Sequence, residues 1–178
     1  MITKILVFLI FLVTIFNSNL FSQKRGVERW SVKTLSDNRP IDTNYIETTI
    51  HDLNLIPPPD KIYYNTTRLK LEEQTFAITC KVIEIRTEKD GDLHLIVADT
   101  SAPFETMIFE IIKPSQASTQ YYKQLKKVRD KIVYLRSKKK LIGKTFTFVG
   151  VAFYDLPHNQ KGKSLSNLEL HPVLKILP

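Results

Sequence analysis

Apolar and polar side chains begin to alternate at Phe76. Phe76, Ile78, Cys80 and Val82 fall on one face of an extended segment, the period of a half-buried strand. The next apolar pair, Ile83 and Ile85, is out of phase, which predicts a bulge near Val82 and Ile83. Glu88-Lys89-Asp90-Gly91-Asp92 is turn chemistry, and Leu93, Leu95 and Val97 then define a second strand. After another turn at residues 99–103, a third strand runs over residues 106–112, with Met107, Phe109 and Ile111 on one face. Pro114-Ser115 is expected to open a helix whose apolar stripe is Ala117, Tyr121, Leu125, Val128, Ile132 and Leu135, at three- and four-residue steps. Residues 145–154 form a fourth strand, with Phe146, Phe148 and Val151 as core candidates, and residues 168–176 a fifth.

The order β-β-β-α-β-β is that of an OB-like five-stranded barrel, a mainly β fold with its helix between strands three and four. A long, bulged first strand suits a strand that curls across both halves of such a barrel. The rival architecture is an open α+β sheet with the helix on one face. Ahead of the barrel domain, residues 71–178, lies an irregular extension, residues 23–70. In it, residues 29–34 read as a short edge strand that docks Trp30 on the core. Thr49 reads as the N-cap of a short helix, with Asp52 completing a weak capping box, and Pro57-Pro58-Pro59 ends that helix.

Residues 1–22 read as a secretory signal peptide: Lys4 is the positive n-region and residues 5–16 are apolar except for Thr14. That run is short of the ~20 residues a membrane span needs. Cleavage is expected near Ser22/Gln23, although no A-x-A precedes it; an uncleaved anchor is the alternative. The mature protein is expected to be secreted or periplasmic, without a transmembrane segment. Its one cysteine excludes a disulfide scaffold and a Cys-rich zinc module. Cys80, in phase with Phe76 and Ile78, is expected in the core rather than as a nucleophile.

The 178 residues are 43% hydrophobic and 25% charged, with a net charge of +8, values that exclude collagen, coiled coil and wholesale disorder. The charge is local. Ten basic residues fall between Lys123 and Lys144 and only Asp130 opposes them. Lys123, Lys127, Lys131, Lys138, Lys139 and Lys140 are therefore candidates for contact with an anionic surface, against the plainer reading of a solvated helix face. Nucleic acid is disfavoured. OB barrels bind oligomers on strands two and three and on the loops joining strands 1–2 and 4–5, and here the first of those loops is acidic.

The polar residues that concentrate near those loops are Asp90, Asp92, His94, Asp155, His158, Asn167, Glu169 and His171. Glu169 and His171, two apart, share one face of the fifth strand. In an OB topology the loops at 87–92 and 155–167 lie on the same side, so these groups converge. Three readings follow: a polar ligand-binding mouth; a network of hydrogen bonds that pins a long loop; or a divalent metal held by His158, Glu169 and His171, with Asp92 or Asp155 as a fourth ligand or base. No H-E-x-x-H, G-x-G-x-x-G or Walker pattern is present. Asp90-Gly91-Asp92 and Asp99-Thr100 invite comparison with the staphylococcal-type nucleases, but the two elements stand too close together and no arginine is placed for a phosphate. Ser164 and Ser166 lack the glycines of a nucleophile elbow.

Residues 29–34, the Asp90-Gly91-Asp92-Leu93-His94-Leu95 segment and above all the closing stretch carry a resemblance. Residues 148–155, His158-Asn159-Gln160-Lys161-Gly162 and residues 167–174 are similar to the V-x-G-V-x-F-F-D, H-G-Q-x-G and N-x-I-E-L-H-P-V-L elements of a family of uncharacterised bacterial secreted proteins. The chain departs from that pattern at Asn159, where the family has glycine, and in its more basic helix. The resemblance implies one intact domain over residues 29–176 and supplies no reaction. The expectation is a secreted binding module for a polar ligand, a glycan, peptide or oligonucleotide, at the mouth formed by loops 87–92 and 155–167. The alternatives are a metal-dependent hydrolase or nuclease using the same residues, and an envelope protein that binds anionic surfaces.

Overall fold

A computed structural model describes residues 28–177; the expected signal peptide and its cleavage site lie outside them. Five strands close into a barrel: β2 (Thr75–Thr87), β3 (Leu93–Asp99), β4 (Thr106–Ile111), β5 (Thr145–Tyr154) and β6 (Leu168–Ile176). The order round the barrel is β2-β3-β4-β6-β5, and β5 returns to β2. β4 and β6 run parallel, with Phe109 opposite Leu170, and the other barrel pairings are antiparallel. This is the OB-like barrel that the alternation predicts. The rival open sheet is excluded by the β2–β5 pairing.

β2 closes the barrel because it belongs to both halves. Its first part pairs with β5, from Thr75 opposite Val151 to Lys81 opposite Thr145, and its second part pairs with β3, from Cys80 to Thr87. The register slips between Val82 and Glu84, so Ile83 is the extra residue of a bulge and is left exposed. Bulges bend the strand that carries them. On the other edge of β2, the three-residue β1 (Ile46–Thr48) adds in parallel. At β5, Gly150 lets β6 approach: a Cβ there would lie 2.9 Å from Leu170 Cβ and 3.1 Å from Pro172 O.

The inward faces build one core of Ile78, Cys80, Val82, Leu95, Val97, Met107, Phe109, Phe148 and Leu170 among others. Phe109 and Phe148 meet edge to face at 5.4 Å, a favourable arrangement of ring quadrupoles. Cys80 is fully buried, and burial pushes its thiol pKa up. The helix α3 (Tyr122–Ser137) buries Leu125, Val128 and Ile132 against the barrel. It starts later than expected. Pro114–Gln116 makes an isolated 3-10 turn, and the chain breaks at Ser118-Thr119-Gln120 before the helix begins. Serine and threonine favour turns over helix interiors because their side chains compete for backbone bonds.

The extension is where the reading needs its largest correction. Residues 29–34 form no edge strand: Trp30–Lys33 is one helical turn, α1, and Trp30 is not docked in the core but stays partly exposed. The conformation is imposed by Arg29, which enters with φ 53° and is anchored in the interior. Its guanidinium pairs with Glu72, donates to Tyr154 O at 2.7 Å and lies 4.8 Å from the centre of the Phe153 ring. The second short helix, α2 (Ile50–Asn54), is capped as expected: Thr49 Oγ1 accepts from Asp52 N at 3.0 Å. Among the described residues no helix is long and apolar enough to cross a membrane.

Candidate functional site

The outer faces of four strands carry one row of polar and aromatic side chains. The register generates it. His94 on β3 stands opposite Glu110 on β4. Phe109 stands opposite Leu170, so Glu110 neighbours the outward-facing Glu169 and His171 of β6. Glu169 in turn stands opposite Phe153 on β5. All five side chains alternate with core residues, as the period of two requires, and all are buried.

Three segments cover the row and leave a cleft of about 550 Å³. One wall is α1, with Trp30, Lys33 and Thr34; another is the β2–β3 turn, with Asp90 and Asp92; the third is the β5–β6 loop, with Leu156, His158 and Gln160. His94, Glu110 and His171 reach the cleft from below. The loop is held down by close packing. A Cβ on Gly162 would lie 2.5 Å from Ile96 Cγ2, and φ there is +85°. Leu165 N donates to Asn54 Oδ1 at 3.0 Å, and Lys161 pairs with Glu84.

His94 Nδ1 and Glu110 Oε1 are 2.6 Å apart. Burial holds the Glu110 carboxyl above its usual range, and the His94 contact offsets this in part. The Lys33 ammonium lies 3.4 Å from Asp155 Oδ1 and 5.3 Å from the centre of the Phe153 ring. Burial works against its charge, but Asp155, Glu169, Glu28 and Glu110 outweigh this and raise its pKa. Glu169, fully enclosed, is pushed well above the carboxylate range by burial and by repulsion from Asp155 and Glu110, which Lys33 only partly relieves. His171 is pushed well below its usual value by burial, then by the Lys33 charge and His94. Asp92 accepts from Lys113 N at 2.6 Å, yet burial raises it to about 7. The row therefore favours the charged form of Lys33, the neutral imidazole of His171 and the protonated form of Glu169.

Buried polar atoms of this row lack partners. Glu110 Oε2 and His171 Nδ1 make no hydrogen bond; His171 Nδ1 and Glu169 Oε2 are 3.7 Å apart, too far for one. Such groups cost about 1–3 kcal/mol each when left unpaired.

Of the eight residues expected from sequence, Asp90, Asp92, His94, His158 and His171 line the cleft. Asp155 and Glu169 lie behind it, around Lys33. Asn167 does not join them. It lines a separate hollow beside residues 58–63, adopts φ 56° and accepts from Lys163 Nζ at 3.1 Å. The metal set needs correction as well. Among the described residues no group of three or more His, Cys, Asp and Glu side chains is placed to hold a metal ion. His158 Nδ1 is engaged with Leu156 O at 2.7 Å and Asp155 Oδ2 at 3.3 Å, and the acidic centre already contains a cation, the Lys33 ammonium. Trp30, expected in the core, and Lys33, Glu110 and Gln160, none of them a site candidate in the sequence, also line the cleft. Glu110 had a signal: it is the one charge within the strand Met107-Ile108-Phe109-Glu110-Ile111, on the outward face opposite His94.

The basic candidates divide. Lys123, Lys127 and Lys131 border a groove between α3 and the barrel. Lys138, Lys139 and Lys140 are exposed where the helix ends, with Lys138 Nζ 5.9 Å from the centre of the Tyr134 ring. Neither a family model, nor a curated protein, nor a solved structure matches the chain.

Proposed function

We propose that the protein is a binding module for a polar, uncharged oligomer of the oligosaccharide class, seated in the cleft over His94, Glu110 and His171. The observation that carries this reading is the pair of buried, unpartnered atoms at the cleft floor, Glu110 Oε2 and His171 Nδ1. A hydroxyl donates to one atom and accepts from another, so a polyhydroxylated ligand satisfies both kinds of group. The partly exposed Trp30 side chain in the wall offers an apolar ring face with a polar N–H, the kind of surface that stacks on a sugar ring. Glu88 and Asp90 at the rim repel phosphates, which disfavours an oligonucleotide.

Trp30 is the chain's only tryptophan, so its emission reports on this cleft alone. Titration with neutral cello-, chito- and malto-oligosaccharides is expected to give a saturable change for one series, abolished by Glu110→Ala; calorimetric titration of Trp30→Leu, which lacks the fluorophore, is expected to show the same series binding at least tenfold more weakly. No saturable change with any series, or binding indifferent to both substitutions, overturns the reading.

A further inference from the structure

A second concavity, of about 800 Å³, lies between α3 and the barrel and shares no lining residue with the cleft. Its floor is apolar: Val128 from the helix, Val149 from β5, Leu174 and Ile176 from β6, with Tyr45 at one end. Its border is cationic. Lys123, Lys127 and Lys131 stand at four-residue steps along one side of α3, and Lys175 faces them from β6. The spacing puts the three helical lysines in one line. Among the described residues no acidic side chain lines the groove. The helix's single acid, Asp130, pairs with Lys126 at 2.6 Å, outside it. The volume falls within the range of small-molecule sites, about 300–1,000 Å³.

We infer that this groove binds a single-chain anionic amphiphile, a long-chain fatty-acid carboxylate, with the alkyl chain on the apolar floor and the carboxylate at the lysine border. Both halves of the surface demand such a ligand. A solvated lysine face needs no apolar trough beside it, and an apolar trough for a neutral guest needs no unopposed cations. A nucleic acid would use the charge and leave the floor idle, since among the described residues Tyr45 is the only aromatic one there to stack on a base. An extended anionic surface would meet the exposed lysines and leave the groove empty.

The test is calorimetric titration of the purified protein with laurate below its micelle concentration, in parallel with dodecanol, butyrate and inorganic phosphate. Laurate is expected to bind one to one, at least tenfold more tightly than each of the other three. Lys127→Glu with Lys131→Glu, both exposed positions that leave the core untouched, is expected to weaken laurate at least tenfold. Lys138→Glu with Lys139→Glu, outside the groove, is expected to change nothing. Equal binding of dodecanol overturns the charge recognition, and equal binding of butyrate or phosphate overturns the role of the floor. Adsorption to anionic vesicles without laurate binding overturns the site as a whole.

Discussion

The ammonium of Lys33 and the carboxylate of Asp155 meet at 3.4 Å, with side-chain exposures of 10% and 8%. One residue belongs to the extension and the other directly follows β5 of the barrel wall, so their contact makes α1 part of the cleft rather than a strap beside it. Lys33 is also the counter-charge for Glu169 and Glu110. Burying that many carboxyl groups in one place is costly unless a cation or protons neutralise them; Lys33 supplies the cation, and burial favours the protonated forms of Glu169 and Glu110.

Lys33→Met tests that electrostatic frame. His171 is held below its usual value by burial first and by the Lys33 charge second. Removing the charge leaves the burial, so the His171 titration is expected to move up and still end below 6.5. Imidazole proton shifts followed by NMR across pH measure this directly. A titration that stays in place would mean that Lys33 does not act on the row.

Asp92 sets a pH dependence of stability. In the folded chain it keeps its proton up to about pH 7, against 3.8 as the ordinary value. Between those limits the folded state binds more protons than the unfolded state, so this group's contribution falls as pH rises and is gone above about 7. Glu169 acts with the same sign and His171 with the opposite one. Asp92→Asn retains an acceptor for Lys113 N and removes the titration. Urea midpoints measured from pH 4 to 8 are therefore expected to fall more steeply with pH in the wild type than in the variant. Parallel curves would sink the assignment.

Gly162→Ala probes how the loop is seated. The added methyl would overlap Ile96, and the positive φ disfavours any L side chain. Overpacking of this kind costs about 1–3 kcal/mol. Because Gln160 stands beside His94, the loop shift is expected to weaken ligand binding as well as lower the melting temperature. The double variant Gly162→Ala/Ile96→Ala clears the clash and is expected to seat the loop again. If it binds no better than the single variant, the glycine acts through its backbone angle alone.

How much of this was legible follows from what fixes each element. β5 and β6 have the bounds that alternation gave, because a strand with one face in a core writes its period into the chain. Thr49 as a cap and Cys80 as a core residue were legible for similarly local reasons. α1 was not: Trp30-Ser31-Val32-Lys33-Thr34 alternates like a strand, and the helical turn depends on Arg29 reaching Glu72, far along the chain. Lys33 was passed over for the same cause, since a lysine in a short polar segment gives no sign that tertiary contacts will bury it. The row itself was half legible. Two-residue spacing placed Glu169 and His171 together, but Glu110 entered only once the β3–β4 register set it opposite His94.

The Arg29–Glu72 pair is expected to be the clamp that makes this long-range dependence real. Glu72 also accepts from Tyr154 N at 2.8 Å and Leu69 N at 2.7 Å, so losing Arg29 leaves a buried carboxylate with backbone donors only. Removing one partner of a buried pair costs about 3–5 kcal/mol. Arg29→Met should show a loss of that size in urea denaturation, and Arg29→Met/Glu72→Gln a smaller one than the two single losses combined, because the second change removes the stranded charge. The cleft should report the same event. With α1 released, Trp30 emission is expected to shift to the red before the barrel unfolds. A cost below about 1 kcal/mol for Arg29→Met, in the range of an exposed pair, with Trp30 emission unchanged, would show that α1 is held by something other than this pair.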